Sequence, residues 1–108
     1  MAIQIPTRLL DGAVLAFLKQ DDLYGYALTQ NVQKIFSISE STIYPVLRRL
    51  KKDNCLTTYD EPYQGRNRRY YHITAEGIKM LNSIQDEWLD FSAKVNQVLG
   101  GQNDQSNC

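Results

Sequence analysis

The sequence predicts a mainly α fold with a small β-hairpin and one long C-terminal helix, and three patterns predict it. Apolar residues recur at helical spacing in four segments, and two short runs rich in β-formers lie between the third and the fourth. The last helical segment also carries an apolar seam of heptad spacing. At 108 residues, 43% of them hydrophobic, the chain suits a single domain whose core is only marginally sheltered, which invites help from a partner chain.

Residues 6–19 place Leu9, Leu10, Ala13, Val14, Phe17 and Leu18 at helical spacing, with Pro6 suited to the first turn. Asp21 and Asp22 make a polar break and a cap for a second amphipathic helix. In it Leu23, Tyr24, Ala27, Leu28, Val32, Ile35 and Phe36 keep the period despite Gly25. Both helices read as scaffold, and residues 37–39 form a turn before the third helix. There Ile43, Val46, Leu47 and Leu50 fall at i, i+3, i+4 and i+7 and should be buried. Ser41, Thr42, Tyr44, Pro45, Arg48, Arg49, Lys51 and Lys52 are left to face outward. The start of this helix has two candidate caps. From Ser39, Pro45 would be the sixth helical residue and would remove a backbone hydrogen bond; from Ser41, it would lie in the first turn, where a missing N–H costs little.

Asn54 tolerates left-handed backbone and is a fair helix stop. Residues 55–60 and 69–73 are the expected strands, and the eight residues between them include Pro62, Gly65, Arg66 and Arg68. Thr74 can cap the last helix, Glu76 favours its N-terminal dipole, and Gly100-Gly101 ends it. Inside it Leu81, Ile84, Trp88, Phe91, Val95 and Val98 are spaced 3, 4, 3, 4, 3, with Ile78, Leu89 and Leu99 widening the seam. At about 1.5 Å per residue the helix is nearly 40 Å long. The preceding residues cannot cover that length, and each uncovered Å² costs about 25 cal/mol. A second copy of the same helix is the simplest cover, which predicts a two-fold homodimer. The expected division is a winged helix-turn-helix at 1–74, a dimerisation helix at 75–99 and a disordered tail at 100–108.

Formal net charge is zero, but its distribution is uneven. Residues 1–47 carry three basic and four acidic side chains, 48–69 seven and three, and 70–108 two and five. Positive charge is therefore gathered on the third helix and the hairpin tip. Short hydroxyls near a helix start, with longer cations behind them, suit a helix that enters the major groove of double-stranded DNA while its cations reach phosphates. Ser41, Thr42, Tyr44, Arg48, Arg49 and Lys52 are the candidate contacts on the helix, and Arg66, Arg68 and Arg69 those on the wing, where an arginine can meet a phosphate or a minor groove. A homodimer would present two such helices to a palindromic operator with half-sites about 34 Å apart. A protein-docking module with the same basic face remains the competing reading, since the net charge is neutral.

Other chemistry has little support. Cys55 and Cys108 are too few and too poorly placed for a disulfide framework or a metal site. His72 is the sole histidine, without a nucleophile or carboxylate at a recognisable spacing, so no enzyme and no cofactor is expected. No signal peptide is visible, and no apolar run approaches the roughly 20 residues needed to cross a bilayer. A cytoplasmic protein is expected. Trp88, at the centre of the seam, offers a flat apolar face that could either anchor a dimer or stack on a planar hydrophobic small molecule.

Leu23-Tyr-Gly-Tyr26, Ser41-Thr-Ile-Tyr-Pro45 with Leu47 and Leu50, and Gly65-Arg66 followed by Arg69-Tyr-Tyr-His-Ile-Thr74 and Gly77 resemble the PadR family of bacterial transcriptional regulators. The resemblance covers roughly residues 5–99. Short length and a single C-terminal helix are similar to its smaller subgroup, which includes multidrug-responsive repressors. What the resemblance implies is a winged-helix dimer, usually a repressor, joined through its C-terminal helices. By the same likeness Tyr44, Arg48 and the wing arginines match positions used on DNA, and Trp88 matches a drug-stacking tryptophan. Asn54-Cys55 departs from the glycine and aliphatic pair common in that family.

Overall fold

Tertiary pairing redraws two of the boundaries that local periodicity predicts. In the computed structural model, which describes residues 3–100, the elements run α1 (Thr7–Gln20), β1 (Leu23–Tyr24), α2 (Gly25–Gln33), α3 (Glu40–Lys52), β2 (Leu56–Tyr63), β3 (Arg66–Ile73) and α4 (Ala75–Leu99). The expected tail beyond Gly100, and Cys108 with it, lies outside the described residues. No helix among the described residues is long and apolar enough to cross a membrane.

The first revision concerns the second helix. Leu23 and Tyr24, expected inside it, instead pair with Tyr71 and Tyr70 as a third strand, giving the antiparallel order β1-β3-β2. The free edge of β3 offers backbone donors and acceptors that outcompete one more helical turn, and no pattern within residues 21–36 signals that partner. α2 therefore starts at Gly25, with Tyr24 as a cap that supplies no side-chain hydrogen bond. Asp21 closes α1 rather than opening α2, its N–H donating to the Phe17 carbonyl. Ile35, expected on the buried face, lies past the end of α2 and is exposed.

The second revision lengthens the hairpin. Gln64 and Gly65, at φ 50° and 77°, form a two-residue loop with both residues left-handed, the turn whose twist matches paired strands. The eight-residue connection shrinks to two because residues 61–63 and 66–68 join the ladder. Such a loop makes Tyr63 and Arg66 the hydrogen-bonded pair beside the turn. Pro62, opposite Asn67, then falls at a non-hydrogen-bonded position of the edge strand β2, where its missing N–H goes unused.

Of the two candidate starts for α3, the structure takes Ser39, with Pro45 sixth in the helix. The Ser39 hydroxyl does not cap the backbone but bonds the hydroxyls of Ser41 (2.8 Å) and Thr42 (3.1 Å). Pro45 lacks the donor for the Ser41 carbonyl, and its exposure leaves that oxygen to water. At the other end Asn54 sits at φ 64°, its N–H bonding the Lys51 carbonyl while the Cys55 N–H reaches Leu50. These two bonds are the Schellman termination.

The core joins Leu10, Val14 and Leu18 of α1, Leu28 and Val32 of α2, and Ile43, Leu47 and Leu50 of α3 to Leu56, Ile73, Leu81 and Ile84. Two glycines set the position of α4. A Cβ on Gly12 would stand 2.8 Å from Ile84 Cγ2, so α1 and α4 cross closely there. A Cβ on Gly77 would overlap the Cys55 carbonyl oxygen and approach Ile73 Cγ1 to 2.7 Å. Thr74 completes that junction. Its hydroxyl accepts from the Gly77 N–H (3.0 Å) and donates to the Asn54 carbonyl (2.6 Å).

Candidate nucleic-acid interface

With Ile43, Val46, Leu47 and Leu50 turned into the core, Ser41, Pro45, Arg48 and Lys52 line up at steps of 4, 3 and 4 along the opposite side of α3, all exposed. Thr42 is exposed on one flank, and Lys51 is exposed as well. Tyr44 is half-buried on the other flank, where a Cβ on Gly25 would lie 3.4 Å from its hydroxyl.

Arg49 does not share that side. Its guanidinium pairs with the buried Asp11 of α1, so it ties α3 to the scaffold instead of facing outward as the helical pattern predicts. Burial pushes the Asp11 carboxyl above the usual carboxylate range, and the pull of Arg49 and Arg8 only partly offsets it. Helical periodicity did not signal this pairing, because a 3.6-residue period separates apolar from polar positions, not free cations from paired ones.

Strand alternation divides the wing. Ile73 is buried and Tyr71 half-buried, so the face of β3 that holds Asn67 and Arg69 is the one turned toward the core and α3. Arg69 pairs there with its register partner Asp60 at 3.2 Å. Burial raises the Tyr71 phenol, helped by Tyr44, while Arg69 and Arg48 pull it down. Tyr44 of α3 and Tyr71 of the wing both border Gly25, where an added Cβ would lie 3.5 Å from Tyr44 Cε1 and 3.8 Å from Tyr71 Cε1.

The other face carries Arg66, Arg68, Tyr70 and His72 of β3, with Tyr59 and Tyr63 of β2 and Tyr24 of β1. Arg66 stands exposed beside the turn. Arg68 is half-buried, with its guanidinium carbon 3.8 Å from the Tyr24 ring centroid and 3.4 Å from that of Tyr63. Tyr70 stacks on Tyr59 (centroids 5.5 Å apart, planes 9° apart) and meets Tyr24 edge-on at 5.7 Å. Asp22 accepts from the Tyr59 hydroxyl at 2.7 Å and lies 2.8 Å from His72 Nδ1. The phenol bond holds the Asp22 carboxyl low despite some burial, and it pushes Tyr59 up to about 12. Sequence inspection missed this assembly. The even spacing of Tyr59 and Tyr63, and that of Arg68, Tyr70 and His72, was a signal that each set shares one face of its strand, but Tyr24 joins them only through β1.

Along α4 the seam divides. Leu81 and Ile84 are 2% and 3% exposed within the chain's own core, whereas Trp88 is 46%, Phe91 59% and Val98 84% exposed, with Val95 half-buried. Between the start of α1 and the middle of α4 lies a cleft of about 440 Å³ lined by Pro6, Leu9, Ile84, Trp88 and Phe91. Arg8 and Glu87 close one side through two hydrogen bonds of 2.9 and 2.8 Å.

A family model described as the transcriptional regulator PadR-like family matches residues 14–83. A transcriptional regulator of Mycobacterium tuberculosis is 30% identical over 90 residues, spanning 82% of this chain and 81% of its own. A crystal structure from Streptococcus mutans superposes with a TM-score of 0.85 at 35% identity, covering 98% of this chain and 100% of that one. A PadR family transcription regulator from Clostridium difficile gives 0.77 at 29% identity, with 83% and 97% covered.

Proposed function

Since this chain belongs to the PadR-like family of transcriptional regulators, whose members bind DNA, we propose that it is a repressor that grips a palindromic operator as a two-fold homodimer. The observation that carries this reading is the exposed row of Ser41, Pro45, Arg48 and Lys52 on the side of α3 opposite the core, with Arg66 exposed beside the turn of the wing. Ser41 and Thr42 read base edges from the start of α3, Arg48 and Lys52 take phosphates, and Arg66 reaches the flanking backbone from the wing tip. The distal half of α4, with Trp88, Phe91 and Val98 uncovered and Val95 half-buried, joins the two copies. The same reading divides the chain into a DNA-binding unit at 1–74 and a dimerisation helix at 75–99, and it is in keeping with a cytoplasmic protein.

Selection of preferred duplexes from random DNA, followed by a salt titration on the winner, tests the reading. Each phosphate neutralised contributes about −0.9 to the log–log slope, so Arg66→Ala should shallow the dimer's slope by about 1.8 without changing which sequence is preferred. Ser41→Ala and Thr42→Ala should alter preference and leave the slope alone. Equal behaviour of the two groups would remove the assigned roles.

Operator release by a planar aromatic molecule is part of the same proposal, supported by Trp88 on the wall of an apolar cleft. Titration with flat aromatic cations should shift and quench Trp88 emission for at least one compound. An emission unchanged across the panel would leave Trp88 as an interface anchor alone.

A further inference from the structure

We propose that Arg68 is not a DNA contact but the pin of a clamp that holds the wing at a fixed angle to the helix-turn-helix, with Tyr24 and Tyr63 as its jaws and Arg66 as the group it aims. The inference rests on the DNA-binding reading above. A guanidinium 3.8 and 3.4 Å from the centroids of two tyrosine rings is already held by both of them. It projects from the sheet face opposite the one that Tyr71 and Arg69 turn toward α3.

The two jaws sit on different parts of the fold. Tyr63 ends β2 beside the turn and is the register partner of Arg66, so what fixes Tyr63 fixes the backbone that carries Arg66. Tyr24 belongs to β1 and is the residue from which α2 begins. Arg68 thereby bridges the tip of the hairpin to the start of a helix in the DNA-reading unit. Asp22 makes a second fastening two residues earlier, through Tyr59 and His72. A two-stranded ribbon is otherwise free to twist and bend about its base, and one anchored at both Asp22 and Tyr24 is not. Fixing it before DNA arrives spares the complex the cost of ordering the tip on binding.

The clamp has a signature that neither a direct contact nor a purely structural cluster shares. Tyr24→Leu changes no charge and lies away from the tip. If the ring aims Arg66, its loss should shallow the salt slope on the selected operator duplex by about 1.8, as Arg66→Ala does, and combining the two should shallow it no further. Tyr24→Phe, which keeps the ring, should retain the wild-type slope, and Tyr63→Leu should repeat the Tyr24→Leu result should that variant fold poorly. A slope unchanged in folded Tyr24→Leu and Tyr63→Leu, whether or not they melt earlier, overturns the clamp while leaving the DNA-binding reading intact. Additive losses with Arg66→Ala overturn it too. A wild-type chain that selects no duplex removes both.

Discussion

Phe91→Glu should yield a folded monomer that binds the operator about 100-fold more weakly than the wild type. Phe91 is 59% exposed in the single chain and lies beyond the buried part of α4, so a glutamate there costs one copy only the apolar wall it lends the cleft beside α1. Pressed against a second copy, the same carboxylate would be taken out of water without a partner, at a cost of several kcal/mol. The operator loss follows from linkage. Two half-site contacts on one rigid dimer gain about 10²-fold or more over either alone, because the second contact is made at high effective concentration. Sedimentation equilibrium at micromolar concentration, circular dichroism and an operator titration check the three parts separately. A Phe91→Glu chain that remains dimeric would dismantle the assignment of the distal half of α4. Leu81→Glu is the informative contrast. Leu81 is 2% exposed within its own chain, so that variant should lose the fold rather than the dimer alone.

Gly77→Ala should lower stability by about 3 kcal/mol, at the upper end of what overpacking one methyl costs. For a domain of this size that corresponds to a fall of about 12 °C or more in Tm. The first obstacle is the Cys55 carbonyl oxygen, which the new methyl would overlap and which the Thr74 N–H already holds at 3.0 Å. The second is Ile73 Cγ1 at 2.7 Å, on a side chain that is itself buried. Neither can retreat without opening the junction where α3 ends, the sheet begins and α4 starts. Gly65→Ala provides the comparison. At φ 77° with nothing within 4 Å of the added carbon, it should suffer only left-handed backbone strain, about 1–2 kcal/mol. Chemical denaturation of the two variants measures both. Should Gly77→Ala melt within a degree or two of the wild type, the close approach of α4 to the Cys55 carbonyl would not be what seats that helix.

Much of the architecture was legible because its signals are local. The apolar period of α3, the Thr74 cap with its bond from Gly77, the left-handed stop at Asn54 and the Gly100 termination of α4 each depend on residues within a turn or two of one another. Physical chemistry at that range is written directly in the residue order. The heptad seam was legible in the same way, but periodicity could not say which of its positions the chain would cover for itself. Gly12 and the closeness of α1 decided that for Ile84, and because α1 starts only at Thr7, Trp88, Phe91 and Val98 are left uncovered.

The limits are equally specific. Strand β1 exists because β3 presents an open edge some 47 residues later in the chain, a pairing that no window around Leu23 contains. Arg49 and Arg48 are adjacent and chemically identical, yet one is bound to Asp11 and the other exposed, because a 100° step around α3 turns only the first toward α1. Arg68 and Arg69 part company by the alternation of a strand, one held against the rings of Tyr24 and Tyr63 and the other paired with Asp60. Residue order set the kinds of element, their caps and the cluster of positive charge, since those arise from neighbours along the chain. The fold alone assigned each cation its partner, since an ion pair or a ring stack depends on which distant segment comes within a few ångströms.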